Sequence, residues 1–245
     1  MDKFAYIAMS AAKEAMLAQS RIAHNLANAK TTGFKADLTR AKALNVEGDG
    51  LESRAFALTT GTGYDLSSGQ LITTGNPTDL AIEGEGWFVV QAQDGSEALT
   101  RNGAFEVAAS GMLQTSDGLP VLGDAGPIIL PPSESISVGA DGTVSVRPLG
   151  APANTVQVVG RLRLVKPEPT QLVKQADGLF AVANGEILPS DASVRVRAGA
   201  LEASNVNTVE ALTELIDLSR RFEMHIKMLS SAQQNDEALD RLLQA

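Results

Sequence analysis

The chain of 245 residues contains no cysteine, so disulfides, thiolate metal sites and cysteine nucleophiles are excluded together. Aromatic residues make up only 4% of it, and its core must therefore come from Val, Leu, Ile and Ala. Basic residues are also in deficit: the formal net charge is −9, where a protein neutralising nucleic-acid phosphates would carry a basic face. No window approaches the roughly 18 consecutive apolar residues of a membrane span. The N-terminus offers no continuous apolar stretch of a signal peptide, because Lys3, Lys13, Glu14 and Arg21 interrupt it. Nucleic acid, a membrane span and cleaved-signal export are thus all disfavoured.

Histidine is scarce as well. His24 and His225 fall on polar or mixed positions of predicted helices and read as solvated or interface residues. No Gly-x-Ser-x-Gly elbow occurs, and GTGYDL at 61–66 lacks the third glycine and following helix of a dinucleotide fingerprint, so it reads as linker. Acidic residues near glycine (Glu47, Asp49, Glu52, Glu83, Glu85, Asp141) follow no EF-hand order and read as turn chemistry. No nucleophile, base and oxyanion set assembles on paper, so neither catalysis nor a cofactor is expected.

What is abundant is helix at both ends and glycine, 22 residues of it, in between. Apolar side chains at Phe4, Ile7, Ala8, Ala11, Ala15, Ala18, Ile22, Leu26 and Ala29 recur every three to four residues and predict one long amphipathic helix. Its many alanines allow close approach of a neighbouring backbone. In NLANAKTTGFK, from Asn25 to Lys35, Asn28, Thr31 and Thr32 compete with helix and Gly33 ends it. At the other terminus Asn207 and Glu210 have capping-box spacing. Leu212, Leu215, Phe222, Ile226 and Leu229 then continue a helix of up to ten turns, with no proline or glycine from 208 onward.

Residues 36–75 read as an extended arm or irregular linker carrying one or two strands. From 76 to 204 short apolar runs alternate with turn pairs, and Asp-Gly recurs at 49, 94, 117, 141 and 177. Trp87 lies in GEGWFVV, whose alternate residues make both faces apolar, and is expected in the core. The expectation is an α+β chain: terminal helices 1–35 and 205–245 form a discontinuous helical domain around a central all-β domain. Residues 1–35 carry five basic and two acidic side chains and residues 208–245 four basic and seven acidic, so the helices suit each other side by side. A helix of 38 residues would span about 57 Å, beyond the roughly 30 Å of a small domain, and should seek helices of other subunits.

Three ordered blocks carry a resemblance. Asn25, Leu26, Ala27 and Asn28 with Thr31, Thr32, Gly33, Phe34 and Lys35 resemble the N-terminal signature of the bacterial flagellar rod and hook axial proteins. LEASNVNTVEALTELIDLSRRFE, with Leu201, Glu202, Ser204, Asn205, Val206 and Asn207, resembles their C-terminal signature, and TGNPTDLAIEGEGWFVV and LTRNGAFEV resemble their β-domain. MDKFAYIAMSAAKEAM and GLPVLGDAGPIILPP are most similar to the proximal-rod branch, with departures at Ala29, Lys30 and Ala104.

The resemblance implies a structural subunit without cofactor or metal, exported through the flagellar type III apparatus without a cleaved signal peptide into a rod crossing the periplasm. It implies partners among its own copies and neighbouring proximal- and distal-rod proteins. Subunit packing would fall to Phe4, Ile7, Ala8, Ala11, Ala15, Ile22, Leu26, Leu212, Leu215, Phe222, Ile226 and Leu229. A distal-rod or hook relative, a secreted β-rich hydrolase or adhesin, and a self-contained binding module stand as alternatives.

Overall fold

A computed structural model describes residues 3–45, 55–152, 155–175 and 177–243. The chain divides into two compact units: Met1–Ala29, Lys35–Asp65 and Val206–Ala245 form the first, Lys30–Phe34 and Leu66–Asn205 the second.

In the first unit, helix α1 (Lys3–Ala27) packs along helix α2 (Thr208–Leu243). Asn207 caps α2, its Oδ1 accepting from the backbone N–H of Val209 at 3.1 Å and of Glu210 at 3.4 Å. Residues expected as an arm with one or two strands form a two-stranded antiparallel ribbon of β1 (Asp37–Asn45) and β2 (Ala55–Tyr64), which packs on α1. The Gly61-Thr62-Gly63 stretch read as linker lies inside β2, because ladder pairing to β1 overrides its weak strand propensity. Asp49 and Gly50, with Glu47 and Glu52, lie outside the described residues.

The second unit is all β. Its five-stranded antiparallel sheet runs, edge to edge, Leu164–Val165, Trp87–Gln91, Glu97–Thr100, Phe180–Val182 and Leu172–Lys174. Phe88, Val90, Ala98 and Leu164 face the main core, joined there by Phe105, Val121, Leu162 and the inward Val144 and Val146 of a three-stranded sheet. Trp87, Val89, Leu99, Val165 and Phe180 are buried on the opposite face, so the sheet is apolar on both sides.

One turn recurs. At Ala92–Ser96, Thr115–Leu119, Gly139–Thr143 and Gln175–Leu179 the first and fifth residues are hydrogen bonded, and the fourth, glycine, donates back to the first. In all four that glycine follows aspartate and has φ between 81° and 85°, the left-handed region that only glycine enters without strain. The Asp-Gly pairs at 94, 117, 141 and 177 are therefore hairpin turns.

Strands Leu71–Thr73 and Leu80–Glu83 pair antiparallel with Ala200–Glu202 and Arg195–Ala198. The chain thus enters and leaves this unit along one ribbon, which brings the two sequence signatures together.

Candidate functional site

Gly33 is where the N-terminal signature meets the C-terminal one. Its N–H donates to the Glu202 carbonyl at 2.7 Å, and the Asn205 N–H donates to the Phe34 carbonyl at 3.3 Å. Gly33 has φ of +69°, and a Cβ there would lie 2.3 Å from the Arg101 carbonyl carbon. Both conformation and space therefore demand glycine. On the far side, the Ala203 N–H donates to the Gln70 carbonyl, and the Asn205 side-chain amide reaches Ser67. Three chain passages, 30–34, 66–70 and 201–205, cross here.

Beneath the crossing lies a buried ion pair. Arg101 Nη1 donates to Glu202 Oε2 at 2.9 Å, with side chains 3% and 0% exposed. The other Glu202 oxygen accepts from the Gly69 N–H at 2.9 Å, and Arg101 Nη2 donates to the Gly84 carbonyl. Burial pulls the Arg101 guanidinium down from its ordinary value, and Glu202 opposes that pull.

The pair ends a ladder of charged groups and rings. Phe34 lies under Lys174 Nζ, 4.1 Å from its ring centre, and Lys174 also lies 6.0 Å from the Phe180 ring centre. The Phe180 and Trp87 ring centres lie 4.6 Å apart with the planes tilted by 47°, and Arg101 sits 5.6 Å from the Trp87 ring centre. Cations over ring faces are attracted by the ring quadrupole. The second face of the sheet is thereby closed by Phe34 from one signature and Glu202 from the other.

The residues ahead of Gly33 shape the end of α1. Asn25 brackets the Asp37 backbone, its Nδ2 donating to the carbonyl and its Oδ1 accepting from the N–H, each at 2.9 Å. His24 Nδ1 lies 2.9 Å from Asp37 Oδ2, and the Asn28 amide returns to the His24 carbonyl. Asn25 and Asn28 thus direct the chain into β1. Leu26 and Thr32 are half-buried, while Ala27 and Thr31 are exposed; Leu201, Ser204, Asn205 and Val206 are half-buried.

The helix pair uses its expected residues in two ways. Ala8, Ala15 and Ile22 are buried at seven-residue intervals, with Ala12 between them, and Ile7 and Ala11 are half-buried. Among the described residues of α2, Ala211, Leu215, Leu218, Phe222, His225, Leu229 and Ala232 are withdrawn from solvent at alternating steps of four and three, with Ser219 half-buried beside them. That is the period of helices held against each other over many turns. Leu212 and Ile226, by contrast, are exposed, as are Val209, Ile216, Met224 and Met228 on α2 and Tyr6, Met9, Met16 and Leu17 on α1. The Phe4 side chain lies outside the described residues.

The remaining candidates resolve into local structure. Glu83 accepts from Arg197, Glu85 pairs with Lys166 at 2.8 Å, and Asp141 accepts from the Thr143 N–H and hydroxyl. His225 is half-buried on α2 and His24 pairs with Asp37. Among the described residues no three His, Asp or Glu side chains form a metal-binding group, and no helix is long and apolar enough to cross a membrane.

Comparison with known proteins covers the same three regions. A family described as "Flagella basal body rod protein" matches residues 6–35, "Flagellar hook protein FlgE/F/G D1 domain" matches 81–146, and "Flagellar basal body rod FlgEFG protein C-terminal" matches 197–242. The flagellar basal-body rod protein FlgF of Salmonella typhimurium is 43% identical, with 99% of each chain covered, and that of Escherichia coli 42% identical over the same share. A FlgG of Agrobacterium fabrum is 33% identical, covering 86% of this chain and 88% of its own. With its signatures joined at Gly33 and Glu202 and with full-length identity of this order, the chain belongs to the FlgF family of flagellar basal-body rod proteins.

Proposed function

We propose that this structural subunit of the flagellar basal-body rod builds the proximal rod, polymerising through its terminal helices with its own copies and with neighbouring rod proteins. Residues 1–35 and 205–245 would form the inner tube, residues 36–75 an arm and residues 76–204 the outer layer. The tube transmits torque and encloses the path of later export substrates, and the subunit itself leaves through the type III apparatus without a cleaved signal. The work is mechanical, and the side chains carrying it are packing residues.

One observation carries this reading. Each helix covers one face against its neighbour and leaves large apolar side chains on another: Leu212 is 48% exposed, Ile216 51% and Met16 64%. Scattered exposed apolar residues are ordinary, but here they recur along two long helices. Burying such a side chain at an interface stabilises by about 1.5–3 kcal/mol, and repetition along a filament multiplies the effect. The packing set is then Phe4, Ile7, Leu26, Leu212, Leu215, Phe222, Ile226 and Leu229 with Ile22 and the small Ala8, Ala11 and Ala15 beneath.

Leu212→Asp and Ile216→Asp test it, because both side chains face solvent in the single chain. The variant chains should melt like wild type yet fail to restore motility or basal bodies to a strain lacking the subunit. Normal swimming with intact rods would refute the proposal.

A further inference from the structure

The chain contains two Asn-Gly pairs, Asn102-Gly103 and Asn184-Gly185. The same dipeptide sits in opposite surroundings, and the difference is chemical. Asn102 is clamped: its Oδ1 accepts from the Ala104 N–H at 3.1 Å and its own N–H donates to Thr100 Oγ1 at 3.0 Å. Gly103 is buried, its carbonyl accepts from the Leu80 N–H, and a Cβ there would fall 1.7 Å from the Leu80 oxygen. Motion at this peptide requires opening the main core.

Asn184 and Gly185 lie in an exposed run, residues 183–187, just after the strand Phe180–Val182. Among the described residues none hydrogen-bonds the Asn184 side chain, and a Cβ on Gly185 would meet open space. Among the described residues, the Gly185 N–H makes one turn bond, to the Val182 carbonyl at 2.9 Å, and the nearest ladder bond is that of the preceding Ala183 N–H to the Gln171 carbonyl at 2.8 Å. A bond at a strand end in an exposed turn opens locally, at far less free energy than a core segment.

We propose that Asn184 is a site of spontaneous deamidation, and that the fold itself selects it over Asn102. The deprotonated Gly185 nitrogen attacks the Asn184 amide carbon. The new N–Cγ bond closes a five-membered imide, the Cγ–Nδ2 bond breaks, and ammonia leaves with the proton lost by Gly185. Water then opens the imide at either carbonyl to give aspartate or isoaspartate. Net, one amide and one water become one carboxylate and one ammonium ion, without oxidant or catalyst.

The consequence is local and accumulates with age. A new carboxylate appears beside Glu186, and the isoaspartyl form adds one backbone carbon to the segment. That segment walls a cavity of about 550 Å³, where Arg163 is paired with Glu97 and donates to the Leu188 carbonyl at 2.9 Å. Lengthening the backbone four residues before Leu188 disturbs that bond, so the modified chain should open this wall more readily.

The test is peptide mapping of the full-length folded chain after prolonged incubation at mildly alkaline pH, with a parallel sample in urea. The expected result is conversion at Asn184 at least several-fold faster than at Asn102 in the folded chain, and comparable conversion of both in urea. Asn184→Ser should remove the folded-state acidic species while leaving melting unchanged. Equal rates at the two sites in the folded chain, or Asn102 reacting first, would overturn the proposal, as would a folded chain that converts at neither.

Discussion

Glu202 has no contact with solvent, so its charge is held by its partners, Arg101 and the Gly69 N–H among them. Removing one partner of a buried pair leaves an uncompensated charge and costs about 3–5 kcal/mol, whereas replacing both with apolar groups is often close to neutral. Arg101→Leu alone should therefore destabilise by about that amount in denaturant unfolding, and Arg101→Leu with Glu202→Leu should recover much of the loss. A double variant as unstable as the sum of the singles would show the two side chains to be independent. Gly33→Ala belongs with them. Its Cβ meets backbone rather than a movable side chain at the Arg101 carbonyl, so relief requires displacing the crossing itself. The expected result is a lower melting temperature together with faster exchange of the amide at position 33, which loses the Glu202 carbonyl; unchanged exchange at that amide would refute it.

Among elements, turns built on aspartate contribute to the acid response of the chain. Hydrogen bonds from the Ser96 side chain and backbone hold the Asp94 carboxyl below the ordinary carboxylate value, those from Thr143 do so for Asp141, and those from Ser193 for Asp191. The folded state binds these protons less readily than the unfolded chain, so the stabilisation is complete above the unfolded value and is lost as pH falls through the folded one. Thermal unfolding from about pH 6 to about pH 3 should show wild type ahead of an Asp94→Asn, Asp141→Asn, Asp191→Asn triple variant at the upper end, with the gap closing at the lower. Parallel curves would contradict this.

These same elements show what a sequence carries. The Asp-Gly turns and the terminal helices were legible because each depends on neighbours within five residues, through glycine's conformational freedom or a repeat of three to four. Trp87 was legible as core from the alternation around it. The β1–β2 ribbon was only half visible, since a strand containing Gly61 and Gly63 takes its form from a partner about 20 residues away. The ladder from Phe34 through Lys174, Phe180 and Trp87 to Arg101 and Glu202 left no local signal. Its members are spread over most of the chain, and neither Arg101 nor Lys174 differs in sequence from a surface cation. The signature blocks gave the nearest hint, since Phe34 and Glu202 each belong to one.

For the whole molecule, the contrast between the two units decides how a free subunit behaves. The β unit buries Phe88, Phe105, Leu80 and Ile82 almost completely, within a ladder-bonded core. The helix pair buries mainly alanine and Ile22 on α1, and its larger α2 residues, Leu215, Phe222 and Leu229, remain half-covered. At about 25 cal/mol per Å² of apolar surface removed from water, alanine contributes little, so the helices hold together weakly for their length. Amide exchange of the dilute full-length chain should therefore be markedly faster in α1 and α2 than in strands Trp87–Gln91 and Glu97–Thr100. The slow exchange that the helices lack as single chains should appear when subunits assemble, because the exposed stripe of Leu212, Ile216 and Met16 is then covered. Helices protected to the level of the β core in dilute solution would mean that the pair is already complete. The chain would then be better understood as a self-contained module than as a subunit awaiting its neighbours.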